Sequence, residues 1–479
     1  LSLGIGDVSF PVAPYIAKKM QEAVKRQTKE NFVGYGYHFG IPELIDAIRE
    51  NEYPEFSNDE IYVSDGTKTD AGDLLEMFSN DAVIGVYNPT YPIYVNSALS
   101  LNRYIELIDC DSEFNPVVPN KHFDVLYICS PNNPTGVNFS KKVLQPIVDY
   151  AIKEGCIILY DNVYFSFIKY GVKSIYEVEG ARKCAIEMRS FSKHASFTGV
   201  RCSYYVVPNE IFPDINKYWK FRTINRFNGA SYIAQVGALA SFDRRAKSEI
   251  EKHIKYYKRN LEFLTESFKS MNYEVYGGTD APYIWVKCKG DLNSWATFEL
   301  FLNFLGVVVV PGIIFGSRGD GYFRVSALGK SEDIVFGLGK DDATLKDEET
   351  NEAIENMVSG SITYATKDTE INGVKIKNGD EYVFAEVLQQ RGKGIVRCVS
   401  FNATEGLIRG LDCESMESPL KVPVGEEITG RLFNALGQPI DGLGEVKAAD
   451  YWSIHRKAPS YTEQYPAETM LETGIKVVD

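Results

Sequence analysis

Residues 140–161, SKKVLQPIVDYAIKEGCIILYD, join a helix pattern to a strand pattern and thereby decide the fold class. Ser140 is a favourable helix N-cap, apolar residues then recur at helical spacing, and Gly155 is a favourable C-terminal stop. The run CIILYD (156–161) is apolar on both faces, which is typical of a parallel strand covered by helices on both sides. We therefore predict an α/β core.

The same alternation of helix and strand patterns continues on both sides of this stretch. FDVLYIC (123–129) and CAIEMRSF (184–191) are further buried-strand patterns, and a long helical pattern covers 250–268. Shorter strand patterns then follow up to about residue 334. We predict that residues 1–334 form an α/β domain with a mostly parallel central sheet and a small α+β lobe.

The sequence changes character near residue 335. Residues 335–387 begin as an acidic, helix-prone stretch and continue as short strand patterns around an Asn-Gly turn. Residues 388–479 contain short strand patterns separated by glycine turns. We predict a small mixed α+β segment followed by a β-barrel-like C-terminal module.

Composition and charge exclude several classes of partner. The 479 residues carry a formal net charge of −14, and there is no long Lys/Arg run to bind phosphate backbones. No apolar stretch approaches the roughly 18 residues that a membrane span needs. The eight cysteines show no Cys-x-x-Cys spacing. We predict a cytoplasmic protein with reduced thiols that binds no nucleic acid, no membrane and no metal.

Polar side chains follow three of the predicted parallel strands. Asn133 lies in SPNNPTG after the first, Asp161 ends the second, and Lys193 follows the third. The carboxyl ends of parallel strands meet at one edge of a sheet, so we expect these residues to converge there. A buried Lys–Asp pair can be a structural ion pair. The alternative is a Schiff-base lysine with a carboxylate that keeps a pyridine nitrogen protonated.

Motifs spread over residues 1–334 favour the second alternative. They are SLGIGD, GYG, VSDGTKTD, NPTYPIYV, CSPNNPTG, YDNVY, SFSKHASFTGVR, FNGAS, YGGTDAPYIWV and GYFRVSALG. Their order and spacing resemble those of type I pyridoxal-phosphate aminotransferases, most closely the LL-diaminopimelate aminotransferase family. This resemblance implies the type I aminotransferase fold, pyridoxal 5′-phosphate as cofactor and a homodimer with shared active sites. It also implies transfer of an α-amino group between an L-amino acid, LL-diaminopimelate-like or glutamate, and a 2-oxo acid, as in lysine biosynthesis.

The resemblance also implies roles for individual residues at the cofactor. Lys193 would bind the aldehyde carbon of the cofactor and later move the substrate proton, and Asp161 would pair with the pyridine nitrogen. Asn133 and Tyr164 would contact the 3-oxygen of the ring, and Tyr91 would stack on its face. The residues implied to hold the phosphate group are Thr67, Lys68, Ser190 and Arg201.

At the substrate, the resemblance implies that Arg324 binds the α-carboxylate as a bidentate fork and that Asn133 assists it. Tyr35 and Asn228 resemble substrate-site residues of the family, some of which contact the substrate bound by the other chain of a dimer. The family usually continues GYG with Ala-Glu-Gln, and its glutamate is taken to bind the distal ammonium of diaminopimelate. His38 stands in place of that glutamate. We therefore predict a weaker preference for diaminopimelate.

The rest of the chain resembles two other families. Residues 336–385 resemble the fatty-acid kinase and dihydroxyacetone-kinase-related family. Residues 388–479 resemble the N-terminal barrel of the β chain of ATP synthase but stop before its phosphate-binding loop, so we predict no nucleotide hydrolysis. Relative to its family, the aminotransferase part is expected to be truncated at both termini. The alternative to an enzyme is a non-catalytic, chimeric or misassembled chain of unrelated fragments.

Overall fold

The protein, described by a computed structural model, forms two compact units, residues 1–358 and residues 359–479. The predicted boundaries near residues 334 and 387 stay predictions. The structure describes residues 2–4, 6–35, 37–290, 292–331, 334, 373–378, 381–390, 396–401, 413–416, 420–434 and 436–454.

The first unit is built on a seven-stranded sheet in the order β1-β7-β6-β5-β4-β2-β3. Neighbouring strands from β3 through β2, β4 and β5 to β6 are parallel, and β7 is antiparallel to both β6 and β1. The predicted mostly parallel central sheet is thus confirmed. The strands are β1 (Ile61–Ser64), β2 (Val83–Asn88), β3 (Tyr104–Asp109), β4 (Val125–Cys129), β5 (Ile157–Asp161), β6 (Ala185–Ser190) and β7 (Ser203–Val206).

Helices cover both faces of this sheet. No helix in the described part of the chain is long and apolar enough to cross a membrane. The helices are α1 (Pro14–Gln27), α2 (Pro42–Glu52), α3 (Thr67–Asp73), α4 (Ile93–Ser100), α5 (Lys141–Glu154), α6 (Phe191–His194), α7 (Ile215–Arg226), α8 (Tyr232–Ala240), α9 (Arg244–Ser270) and α10 (Ser294–Leu305).

Helix α5 and strand β5 form as their sequence predicts. Ser140 occupies the N-cap position, although its side chain makes no capping hydrogen bond, and Gly155 ends the helix in the left-handed region at φ 70°. The apolar stripe of α5 packs on one face of the sheet, together with Ile158 of β5. Leu159 points to the opposite face and joins a separate core. Burial on both faces explains why the strand sequence is apolar throughout.

A four-stranded antiparallel sheet forms the small lobe of the first unit, in the order β10-β11-β9-β8. The amino-terminal segment joins this sheet, because the amide of Leu3 donates to the carbonyl of Val308 at 2.8 Å and its carbonyl accepts from the amide of Ser326 at 2.7 Å. The strands are β8 (Val275–Gly277), β9 (Tyr283–Lys287), β10 (Val310–Pro311) and β11 (Tyr322–Ser326).

In the second unit, the described strands form two separate small antiparallel sheets. One has four strands in the order β14-β13-β12-β15, and the other pairs β16 with β17. The closed barrel predicted for residues 388–479 stays a prediction. The strands are β12 (Gly373–Asn378), β13 (Glu381–Gln390), β14 (Val396–Ser400), β15 (Cys413–Ser415), β16 (Lys421–Val424) and β17 (Asp450–Ser453).

Two isoleucines of α5 offer a matched test of this packing. Ile147 is 0% exposed, whereas Ile152 on the same helix is 43% exposed. Ile147→Ala leaves a cavity and is expected to lower the free energy of unfolding by about 2 to 5 kcal/mol. Ile152→Ala is expected to change it by less than about 1 kcal/mol. Urea unfolding followed by tryptophan fluorescence measures both, and equal losses would contradict the assigned helix face.

Candidate active site

A cavity of about 470 Å³ lies at the carboxyl ends of β4, β5 and β6, against the small lobe and the amino-terminal segment. This is the sheet edge at which the polar strand ends were predicted to converge. Nine of the predicted site residues line it: Thr67, Lys68, Tyr91, Asn133, Asp161, Tyr164, Lys193, Arg201 and Arg324.

Lys193 lies on α6, one turn beyond the end of β6. Its half-buried ammonium group donates a hydrogen bond to the carbonyl of Gly6. Burial lowers the pKa of Lys193 to about 8; Asp7 opposes this shift, and the nearby Arg324 and Arg201 add to it. The lowered pKa increases the fraction of this amine that is unprotonated and able to act as a nucleophile or a base.

Asp161 is the last residue of β5 and is 5% exposed. Its Oδ2 accepts a hydrogen bond from the Tyr94 hydroxyl at 2.7 Å, and its Oδ1 accepts from the Val163 amide at 3.2 Å. Burial raises the pKa of Asp161 to about 6, while these two donors favour the charged form. The carboxylate faces the cavity without a cationic partner among the described residues, so a ligand cation can occupy that position.

Arg324 on β11 is 7% exposed. One terminal nitrogen donates to Asn133 Oδ1 at 2.6 Å and the other to the Gly4 carbonyl at 2.7 Å, whereas Nε has no partner among the described residues. The guanidinium lies over the rings of Tyr283 and Phe315, 4.3 and 5.0 Å from their centroids. A buried guanidinium held only by neutral acceptors is suited to bind a carboxylate.

Two aromatic side chains complete the central part of the cavity. The buried hydroxyl of Tyr164 donates to the Tyr283 hydroxyl at 3.1 Å, and burial raises the pKa of Tyr164 well above its usual value. Tyr91 is half-buried and contacts Tyr94 edge-on, with ring centroids 5.9 Å apart. Tyr91 and Tyr164 thus offer an aromatic face and a hydroxyl to a bound ring.

The other end of the cavity is cationic. Arg201 contacts Ser192 Oγ at 3.4 Å and the Thr198 carbonyl at 3.2 Å. A Cβ atom at Gly66 would lie 2.0 Å from the guanidinium of Arg201, so the close approach of this side chain to the start of α3 requires glycine. Arg201 and the first turn of α3, which begins at Thr67, line the same part of the cavity.

Ser190, predicted in this region, does not line the cavity. It caps α6, accepting from the Ser192 amide at 3.0 Å, and its hydroxyl contacts that of Ser192 at 2.9 Å. Ser192, which sequence reasoning missed, lines the cavity instead. The preference of serine for helix N-caps is the signal that distinguishes the two positions.

Three predicted substrate-site residues lie away from the cavity of their own chain. Tyr35 is 88% exposed, and Asn228 is also exposed. Nδ1 of His38 lies 3.2 Å from the Phe227 carbonyl. The structure therefore brings the segment that contains His38 next to the segment that contains Asn228, but neither lines the cavity.

Comparisons with known proteins agree with this geometry. Residues 1–335 match the family described as Aminotransferase class I and II. Residues 339–407 match the FakA-like C-terminal family of fatty acid kinases, which confirms the resemblance predicted for that part of the tail. The resemblance of residues 388–479 to the β chain of ATP synthase stays a prediction.

Similar proteins include the LL-diaminopimelate aminotransferases of Parabacteroides distasonis (38% identity) and Bacteroides thetaiotaomicron (40%), each matched over 71% of this chain and 90% of the relative. The solved structure of L,L-diaminopimelate aminotransferase from Chlamydomonas reinhardtii has a TM-score of 0.67 and 36% sequence identity. The match covers 71% of this chain and 88% of the Chlamydomonas chain. An aromatic aminotransferase from Pyrococcus horikoshii OT3 has a TM-score of 0.65 and 25% sequence identity. That match covers 71% of this chain and 93% of the Pyrococcus chain.

The match to one family spans most of the chain, and the relatives are covered over nine-tenths of their length. The strand ends of the described sheet also carry the residues that the aminotransferase motifs predict. The chain therefore belongs to the class I and II aminotransferase family, whose members are pyridoxal-phosphate-dependent transaminases.

Proposed function

We propose that this chain moves an α-amino group between an L-amino acid, of the LL-diaminopimelate type or glutamate, and a 2-oxo acid. The observation that carries this proposal is the presence in one cavity of Lys193, the buried carboxylate of Asp161 and the buried guanidinium of Arg324. The names of the similar proteins, LL-diaminopimelate aminotransferases, support the choice of amino donor.

The chemistry of the cavity fits pyridoxal phosphate. In our proposal Lys193 binds the aldehyde carbon, Asp161 pairs with the pyridine nitrogen, Asn133 and Tyr164 contact the 3-oxygen, and Tyr91 covers the ring face. The cationic end beside Gly66 suits a phosphate group, because the Arg201 guanidinium and the first turn of α3 line it. The residues proposed at the phosphate are Thr67, Lys68, Arg201 and Ser192, with Ser190 fixing the position of Ser192.

The side chains then have separate tasks. When bound, the cofactor supplies an electron sink that stabilises negative charge on the substrate α-carbon. Arg324 and Asn133 hold the α-carboxylate and so fix the α-carbon next to Lys193. The amine of Lys193 would act as the base that removes the proton from the substrate α-carbon. Asp161 keeps a proton on the pyridine nitrogen, which strengthens the electron sink.

We propose that a homodimer completes the site. Tyr35 and Asn228 are exposed and His38 is half-buried. Helix α7 also exposes large apolar side chains, among them Tyr218 and Phe221. An exposed apolar surface beside three substrate-site candidates is suited to a second copy of the chain, which would receive these residues at its own cavity. In this arrangement His38 would meet the far end of the substrate.

We also propose that the enzyme works in the cytoplasm and that the chain joins segments of unrelated origin. Six cysteines are buried as thiols, which supports a reducing compartment. Matches to two different families follow one another at residues 335 and 339, which supports a chimeric origin.

The full chain supplied with pyridoxal phosphate is expected to form glutamate from LL-diaminopimelate and 2-oxoglutarate. Lys193→Ala removes the proposed base and is expected to lower the rate by about 10²- to 10⁴-fold. Lys183→Ala, at an exposed lysine outside the cavity, is the matched control and should retain the rate within about twofold. An unchanged rate for Lys193→Ala would contradict the proposal.

Mixing two inactive variants tests the shared site. Tyr35→Ala and Lys193→Ala are each expected to be weakly active alone. If Tyr35 serves the partner's cavity, each mixed dimer contains one complete site, and exchange of chains between dimers should restore about a quarter of the unmodified rate. The control pair, Asp161→Ala with Lys193→Ala, leaves no complete site. No recovery for the first pair, with exchange verified by mass spectrometry, would contradict a shared site.

A further inference from the structure

The amino-terminal segment contacts both cationic side chains of the substrate region. The Gly4 carbonyl accepts from Arg324 at 2.7 Å, and the Gly6 carbonyl accepts from the Lys193 ammonium. Asp7 follows at once and lines the same cavity. The segment therefore brings a carboxylate into the cavity that contains Arg324 and Lys193.

Beyond Asp7, the segment is fixed on α9. The hydroxyl of Tyr257 accepts hydrogen bonds from the amides of Ser9 and Phe10, both at 3.0 Å. The ring of Phe10 stacks on His253, with the centroids 4.4 Å apart. Contacts on both sides of Asp7 thus limit how far its carboxylate can move relative to the cavity.

Asp7 forms no salt bridge in the described part of the chain, although its charge favours the protonated form of Lys193. Its Oδ1 accepts from the Val8 amide at 2.8 Å, and the side chain is exposed. Among the described residues, the only other carboxylate that lines the cavity is that of Asp161, which is buried against Tyr94 and proposed to pair with the cofactor. A substrate that brings a second cation could therefore form a salt bridge with Asp7.

The reach of the segment agrees with such a contact. Three residues of chain span at most roughly 11 Å, so Asp7 cannot lie farther than this from Gly4, whose carbonyl contacts Arg324. A six-carbon amino acid with its carboxylate on Arg324 can extend its side chain over that interval. The distal group of such a substrate can then reach Asp7, and the distal group is where amino acids differ from one another.

We propose that Asp7 binds a cationic group at the distal end of the substrate and so selects amino acids with a distal ammonium. This inference rests on the proposed function and specifies its substrate class. The resemblance implies that a glutamate has this task in the family. Here His38 stands in its place, contacts the Phe227 carbonyl and lies outside the cavity of its own chain. Asp7 supplies the negative charge that His38 lacks.

Equilibrium binding tests the proposal without turnover. Isothermal titration calorimetry of the full chain saturated with pyridoxal phosphate compares 6-aminohexanoate with hexanoate, which lacks the distal ammonium. Asp7→Asn should weaken the binding of 6-aminohexanoate by about tenfold or more, because a charge-assisted contact is lost. It should change the affinity for hexanoate by less than about twofold. Asp7→Glu, which keeps the charge, should recover at least part of the difference.

Asp65→Asn is the matched control, because it removes a carboxylate that does not line the cavity. It should leave the ratio of the two affinities unchanged. Equal weakening of both probes by Asp7→Asn would overturn the proposal and would mean that Asp7 acts only through Lys193, whose charge it favours. An unchanged ratio in Asp7→Asn would overturn it as well.

Turnover separates this inference from the proposed function. Asp7→Asn should lower kcat/KM for LL-diaminopimelate at least about tenfold more than for glutamate. An equal loss for both substrates leaves the transaminase intact and overturns the role of Asp7. The opposite combination is also informative. If the chain transaminates neither substrate but Asp7→Asn selectively weakens 6-aminohexanoate binding, the role of Asp7 is supported and the proposed function is overturned.

Discussion

Charged groups that are shielded from water and form no salt bridge are the constraint on which this site depends. Arg324 is held by two neutral oxygens, Asp161 accepts from a tyrosine and an amide, and Lys193 contacts a carbonyl. Desolvating a charge costs several kcal/mol unless a counter-charge replaces the lost water. A ligand that brings a carboxylate to Arg324 and a cation to Asp161 supplies that compensation. The charges of the ligand therefore match those that the fold leaves without a salt bridge.

The fold provides this arrangement by joining two sheets at one edge. The parallel strands β5 and β6 end at this edge, so that Asp161 at the end of β5 and Lys193 on α6, just beyond β6, line the same cavity. Strand β11 of the small lobe adds Arg324 from the opposite side, and the amino-terminal segment connects to that lobe through Leu3. Lobe packing therefore sets the distance between the group that binds the α-carboxylate and the amine that moves the proton.

Local patterns predicted the core of the fold and the centre of the site. The α5–β5 unit follows from apolar periodicity, and Asp161 and Lys193 follow from their places at strand ends. Ser192 was missed because the capping preference that ties Ser190 to α6 was not weighed. Asp7 belongs to a recognised motif, but its position beside Lys193 results from long-range pairing of the amino-terminal segment. Such pairing has no local signal in the sequence.

The claim that Lys193 carries the cofactor admits a direct measurement. The full chain incubated with pyridoxal phosphate should absorb near roughly 420 nm, and borohydride should remove this band and fix the cofactor as a secondary amine. Peptide mapping by mass spectrometry should then place the label on Lys193. Label on another lysine, or no absorbance band with excess cofactor, would contradict the account.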